Sequence, residues 1–331
     1  RPEPHSSQEE PGRGNHEGYA RRYPYDAAQQ TRSAIRIIFV GHDGLGFRGE
    51  RKIAATKYAV FRFDVDTHVC VRDGIPPLLR LADRLGVHFT FFVNPGRAVN
   101  RGAVLRRRRN SAATPRIPAR RKLGLRGYLE AAILNPVLSA TSGPIIDALD
   151  AGHEVGLHGG RNHATWQVEA ASWGRARFFD EVRWGLDRLS ALRSGWRPTS
   201  FASPGWVNND HLFPVLEELG FRYVADGHSE LGELGFRSVA STLVLAEGTL
   251  AAGPEGVAFL ENREAQGVPD VRTSKDFSAV AASDAPAIAL YDHPYYAGRA
   301  AIRRLTSMIE IALESGREVA TLDRVIRSVA P

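Results

Sequence analysis

Strands alternating with helices predict a parallel α/β sheet, and six or seven such units favour a closed or nearly closed β/α barrel over an open sheet. Two further observations point the same way. No GxGxxG follows the first predicted strand, which argues against an open dinucleotide-binding sheet. The polar residues that interrupt the apolar runs also fall at strand C-terminal ends, where such barrels carry their chemistry.

The elements follow in order. "YAVFRFDVD" (58–66) reads as a buried strand. "DGIPPLLRLADRLG" (73–86) reads as a helix with Asp73 as its cap, prolines in the first turn and Gly86 at its end. "VHFTFFVN" is a second strand, and "SGPIIDALDAG" a short helix that delivers the strand "HEVGLHGG". Phe178, Val182, Leu186 and Leu189 recur at helical spacing in "SWGRARFFDEVRWGLDRLSALR". "PTSFASPGW", "FRYVADG" and "AIALYDH" are strands, with the helix "NNDHLFPVLEELG" between the first two. The helix "RAAIRRLTSMIEIALESG", the strand "EVATL" and a short helix close the chain. Residues 1–55 have little to bury and are expected to form a poorly ordered extension, leaving 56–331 as the barrel domain.

Composition removes several function classes. The 331 residues contain no apolar run near the ~20 needed to cross a bilayer. The first thirty residues, rich in Arg, Gln and Pro, show no secretory pattern. Cys70 is the only cysteine, so a metal site must use His and carboxylate. A cytoplasmic location, peripheral to the inner face of the membrane, is the expectation. The net charge of +6 is concentrated: residues 97–126 hold eleven Arg or Lys and no acid.

The rim residues are Asp64, Asp66, His158, His163, the Pro204-Gly205-Trp206 turn, Asp226, Asp292 and His293. Taken singly, each has an ordinary explanation: a strand-end histidine is usually exposed or satisfied, and Asp292 suits a helix cap. Their co-occurrence at one rim is what suggests a site. One Asp and two His make a set of metal ligands that leaves positions open, with further groups to move protons.

"RFDVDT", "HEVGLHGGRNH", "SPGW", "YVADG" and "LYDH", in this order and at these distances, resemble the polysaccharide deacetylase (NodB-homology) family over roughly four-fifths of the chain. The runs "DVDT", "RDGIPPLL", "TFF" and "HEVGLH" are similar to its branch of 4-deoxy-4-formamido-L-arabinose-phosphoundecaprenol deformylases. The resemblance implies a distorted (β/α) barrel of seven or eight units that removes acyl groups from sugars with one divalent metal, zinc first, with cobalt, nickel or manganese as alternatives. It implies Asp66, His158 and His163 as ligands, Asp64 as general base and His293 as general acid. Pro204, Gly205 and Trp206 would give an oxyanion donor and a sugar wall, with Asp226 supporting the catalytic groups. The expected substrate is an amino sugar carrying an N-acyl group, linked to undecaprenyl phosphate. Hydrolysis of a small ureide, as by allantoinases, and an inactive carbohydrate-binding homologue are the alternatives.

Three departures from the family pattern stand out. The second histidine follows five residues after the first instead of four, with Asn162 at the expected place. The Arg that many members carry two residues before the Pro of the fourth-strand motif is Ala202 here. "HPYYAG" after the acid histidine replaces acids of the deformylase branch. Finally, the stretch 97–140 is a basic and amphipathic insertion. Arg106, Arg107, Arg108 and Arg109 are expected to meet an anionic membrane surface, with "LGLRGYLEAAILNPVL" as an apolar face; nucleic acid is not an expected partner.

Overall fold

The computed structural model describes residues 56–100, 102, 117–137, 142–229, 231–251 and 258–329. The expected disorder of 1–55 and the Arg106–Arg109 cluster lie outside the described residues.

β1 (Lys57–Val65) is the axis of the sheet, pairing parallel with β10 (Ala287–Asp292) on one side. Its other side is shared: β11 (Arg317–Val319) takes the first residues and β2 (Thr90–Val93) the last. From β2 the sheet continues in parallel through β3 (Glu154–His158), β4 (Ser200–Ala202) and β5 (Tyr223–Ala225) to β8 (Val244–Glu247). Short strands β6 (His228–Ser229), β7 (Gly235–Ser238) and β9 (Thr249–Leu250) complete it.

The sheet curls into a distorted β/α barrel. One chain segment spans its gap: β8 pairs with β5, and β9, one residue later, pairs with β10. The bend between them is Gly248, at φ +97° and packed against the Glu233 carbonyl, where a Cβ has no room. Nothing in the sequence around 228–250 shows strand alternation, because these strands are only two to four residues long.

Alternation in β1 divides the core. Phe61, Phe63 and Val65 point outward among Phe89, Phe91 and the packed helices. Tyr58 and Val60 point inward, towards small residues such as Ala202, Ala225, Ala246, Ala287 and Ala289. Both faces of β1 are therefore buried, as its unbroken apolar run requires. Those inner alanines leave the barrel room for one large polar side chain, Arg62, which is fully buried.

One local expectation is corrected. Asp73 does not cap the helix that follows β1; a π-helical turn over Cys70–Gly74 runs straight into the helix Ile75–Leu85. Asp73 instead pairs side by side with Arg72, at 2.8 Å for each contact. Gly86 ends that helix in the left-handed region, as expected.

Candidate active site

Period-two alternation sends Arg62, Asp64 and Asp66 up one inner line of β1 to the rim. The two acids meet different partners. Arg62 Nε and Nη2 donate to Asp64 Oδ1 and Oδ2 at 3.1 and 3.0 Å, and Nη1 donates to the Ala225 carbonyl at 2.6 Å. The guanidinium also lies over the rings of Phe92, Tyr291 and Trp206, at 4.8, 5.5 and 5.8 Å from their centroids. Burial works against the charge on Arg62, yet Asp64 beside it raises its pKa. Sequence reasoning missed this residue. Ala202 cannot pair with Asp64, and Arg62 supplies the fork from β1; the alternation R-F-D-V-D was the available signal.

Asp66 faces three imidazoles. Its Oδ1 is 3.1 Å from His163 Nε2 and 3.4 Å from His158 Nε2, and its Oδ2 is 3.2 Å from His293 Nε2. Burial pushes the Asp66 pKa up, but His163 and His293 overcome it and hold the carboxyl well below its ordinary range. His158 Nδ1 is 2.9 Å from the Ala202 carbonyl; donating there directs the Nε2 lone pair at Asp66. Burial opposes a proton on His158, and the neighbouring Asp64 and Asp66 raise its pKa regardless. The ligand atoms of Asp66, His158 and His163 all lie within 4.8 Å of one another. Asp66 Oδ1 is buried and makes no hydrogen bond. Acceptor atoms converging without a proton donor fit a divalent cation.

The loops explain the five-residue histidine spacing. Arg97 N–H donates to the Arg161 carbonyl and His163 N–H to the Arg97 carbonyl, both at 2.9 Å, which zips the loops after β2 and β3 together. Asn162 then caps the helix His163–Glu169, accepting from Thr165 N–H at 2.9 Å. Its amide donates to the Val99 carbonyl at 3.1 Å, so Asn162 faces away and His163 faces Asp66. Asn94, also missed in the sequence, steadies Asp66 by donating to its carbonyl at 3.0 Å.

His293 follows β10 directly. Its ring stacks on Tyr295, with centroids 5.2 Å apart and planes 16° apart, and Nε2 lies 3.1 Å from the Tyr291 hydroxyl. Burial lowers the His293 pKa, but Asp66 more than compensates and the net shift is upward. Asp292 stays out of the cluster, accepting from Leu260 N–H at 2.7 Å and His293 N–H at 2.8 Å.

The turn Pro204–Trp206 forms the opposite wall. Pro204 has no N–H, and Trp206 spends its own on the Ser203 carbonyl at 2.8 Å, so an oxyanion donor from this turn narrows to Gly205. Gly205 and Trp206 both have positive φ, at 63° and 55°. The Trp206 ring stacks on His228 at 5.1 Å. Asp226 stands behind this wall, accepting from Ser203 N–H and from the Asn208 amide, each at 2.7 Å. It holds the turn and does not enter the Asp66 cluster; burial raises its pKa.

No protein-family profile matches the chain. A curated relative from Shewanella sediminis, described as a 4-deoxy-4-formamido-L-arabinose-phosphoundecaprenol deformylase, is 32% identical over 174 residues, covering 51% of this chain. The chain spans only 56% of that relative's length. Among solved structures, a chain from Mycobacterium smegmatis described as a polysaccharide deacetylase overlaps with a TM-score of 0.56 and 18% identity, over 83% of this chain and 90% of that one. The chitin deacetylase of Colletotrichum lindemuthianum overlaps more loosely, with a TM-score of 0.48 and 13% identity over 82% of this chain and 88% of its own. The curled parallel sheet is thus similar in fold to the polysaccharide deacetylase structure, and half of the chain is similar in sequence to the deformylase.

Proposed function

We propose that the protein is a metal-dependent hydrolase that removes an N-acyl group, formyl or acetyl, from an amino sugar. The observation that carries this reading is the division of labour at the end of β1. Asp66 sits with His158 and His163 as a ligand set, while Asp64, held by Arg62, remains beside them as a base.

Asp66, His158 and His163 would hold a divalent ion, zinc first among the candidates, and when bound it would supply polarisation of an acyl oxygen and a lowered pKa for water. The chain's own groups supply the rest. Asp64 accepts a proton from the attacking water, its oxygens aimed by the Arg62 fork. His293 returns a proton to the departing nitrogen, without which an amine leaves poorly. The Gly205 N–H and the Trp206 ring present an oxyanion donor and a flat sugar wall.

The substrate is read as linked to a polyprenyl phosphate. Two features support this: the name of the curated relative, and the insertion segment. Over Ala119–Leu134 the chain exposes Leu125, Tyr128, Leu129, Ile133 and Leu134, five of the eight exposed large apolar side chains among the described residues. Arg120, Arg121 and Arg126 are exposed on the same stretch, a pairing of apolar and basic surface suited to an anionic lipid layer. No helix among the described residues is long and apolar enough to cross a membrane; the association proposed is through this surface. Sedimentation with anionic vesicles should carry the protein down, and Ile133→Ser with Leu134→Ser should release it.

The direct test incubates formylated and acetylated amino-sugar lipids with Zn²⁺-supplemented protein and follows deacylation by mass spectrometry. Wild type is expected to deacylate one of them and Asp64→Asn to lose at least ~100-fold in rate. A fully active Asp64→Asn would remove the proposed base.

A further inference from the structure

Behind His293 stands a carboxylate that the mechanism above does not use. Glu261, on the helix Phe259–Ala265, is 1% exposed. Its Oε2 accepts from the Tyr295 hydroxyl at 2.6 Å and lies 3.4 Å from His293 Nδ1. Its Oε1 pairs with the ammonium of Lys122, which comes from the insertion helix Ala119–Leu129. His293 Nδ1 is buried and makes no hydrogen bond of its own in this arrangement, so the carboxylate is the acceptor facing it.

A buried carboxylate without a counter-charge is costly, and Lys122 offsets that cost. A proton held on Nδ1 by Glu261 leaves Nε2 as the nitrogen turned to Asp66 and Tyr291. Asp292 fixes the distance between the two elements, since it accepts from Leu260 N–H of the Glu261 helix and from His293 N–H together. The acids missing after His293 in "HPYYAG" are thereby replaced by an acid from another helix.

We propose that Glu261 is a positioning residue for His293, fixing its Nδ1–H tautomer and ring plane so that Nε2 faces the substrate. Lys122 seats Glu261, which makes the basic insertion part of the hydrolytic apparatus. The inference rests on the N-acyl hydrolase reading. In the step it serves, the C–N bond breaks, its electron pair goes to nitrogen, and the Nε2 proton of imidazolium goes to the same nitrogen. The ring is left neutral, with its remaining proton on Nδ1 and facing the Glu261 carboxylate.

The test has two arms on Zn²⁺-saturated protein. Long-range ¹H–¹⁵N spectra at pH 9, with the His293 signals assigned by their loss in His293→Ala, read the tautomer. Wild type and Glu261→Asp are expected as Nδ1–H, and Glu261→Gln, whose amide can donate to Nδ1, as Nε2–H or a mixture. The kinetic arm compares an N-acetylated amino sugar with p-nitrophenyl acetate, whose leaving group needs no proton. Glu261→Gln should lose roughly 10–100-fold in kcat on the amide with KM unchanged, and less than twofold on the ester. Glu261→Asp should recover part of that loss. An unchanged tautomer in Glu261→Gln, or equal losses on both substrates, overturns the inference. Absence of amide hydrolysis in Zn²⁺-saturated wild type instead overturns the N-acyl hydrolase reading, while hydrolysis that survives His293→Ala removes the acid role of His293 and with it this inference.

Discussion

Asp64 and Asp66 lie two residues apart, yet they meet different partners, in keeping with the separate tasks proposed for them. Asp64 is locked by a buried guanidinium and Asp66 by three imidazoles. This makes Arg62 the residue whose removal says most. Arg62→Met leaves Asp64 charged and unpaired in the barrel, and unfolding in urea should show a loss of about 3–5 kcal/mol. Arg62→Lys should recover little of it, because an ammonium cannot fork onto both carboxylate oxygens. The Arg62→Met, Asp64→Leu pair should be less destabilised than Arg62→Met alone. Equal loss in single and double variants would mean that the fork is not what Arg62 contributes. Asp64, Asp66 and His158 were legible in the sequence because alternation and strand ends fix where they point. Arg62 was legible in principle from the same alternation. Glu261 was not: "FLENREA" carries no pattern of its own, and only the approach of its helix to β10 gives it a partner.

Among the elements, the segment around Gly248 and the turn at Asn162 do the shaping. Gly248 lets one strand serve both edges of the sheet, and Gly248→Ala should cost more than ~2 kcal/mol in chemical denaturation, since the positive φ and the Glu233 carbonyl both oppose a Cβ. A variant of unchanged stability would show that the bend tolerates a side chain. Asn162→Ala removes a helix cap, with an expected cost of about 1 kcal/mol by the same measurement. Because that cap also turns His163 inward, Zn²⁺ affinity should fall alongside. The long helices could be read from periodicity, and seven parallel strands, β1 to β5, β10 and β11, from apolar runs bounded by turn residues. The short strands of 228–250 could not, since pairing partners distant in sequence define them. The Asp73 cap failed for a related reason: Arg72 offered the carboxylate two hydrogen bonds, and the chain entered its helix through a π-helical turn.

For the molecule as a whole, pH and metal are the two variables that test the arrangement. His153, at the barrel's other end, accepts from Phe89 N–H through Nδ1 at 2.9 Å, and burial, with His88 second, lowers its pKa from 6.5 to about 4. A folded-state pKa below the unfolded value means stability that is complete above pH ~6.5 and drains away as pH falls towards 4, by up to roughly 3 kcal/mol. His153→Gln should flatten the stability curve in that window, measured as the difference between the two proteins. His158 and His293 shift upward instead, and the difference between the two proteins isolates His153 from them. The barrel and its rim were legible because strand ends gather there in any such fold. The closure was not, since it depends on one bent segment.

Asp66, His158 and His163 are proposed to form one metal site beside Asp64 and His293. Metal analysis of protein dialysed against limiting Zn²⁺ counts that ion. One zinc per chain is expected in wild type and in Asp64→Asn, and almost none in Asp66→Ala or His163→Ala. Zinc retained in full by the Asp66→Ala and His163→Ala variants, or absent from wild type, would contradict it.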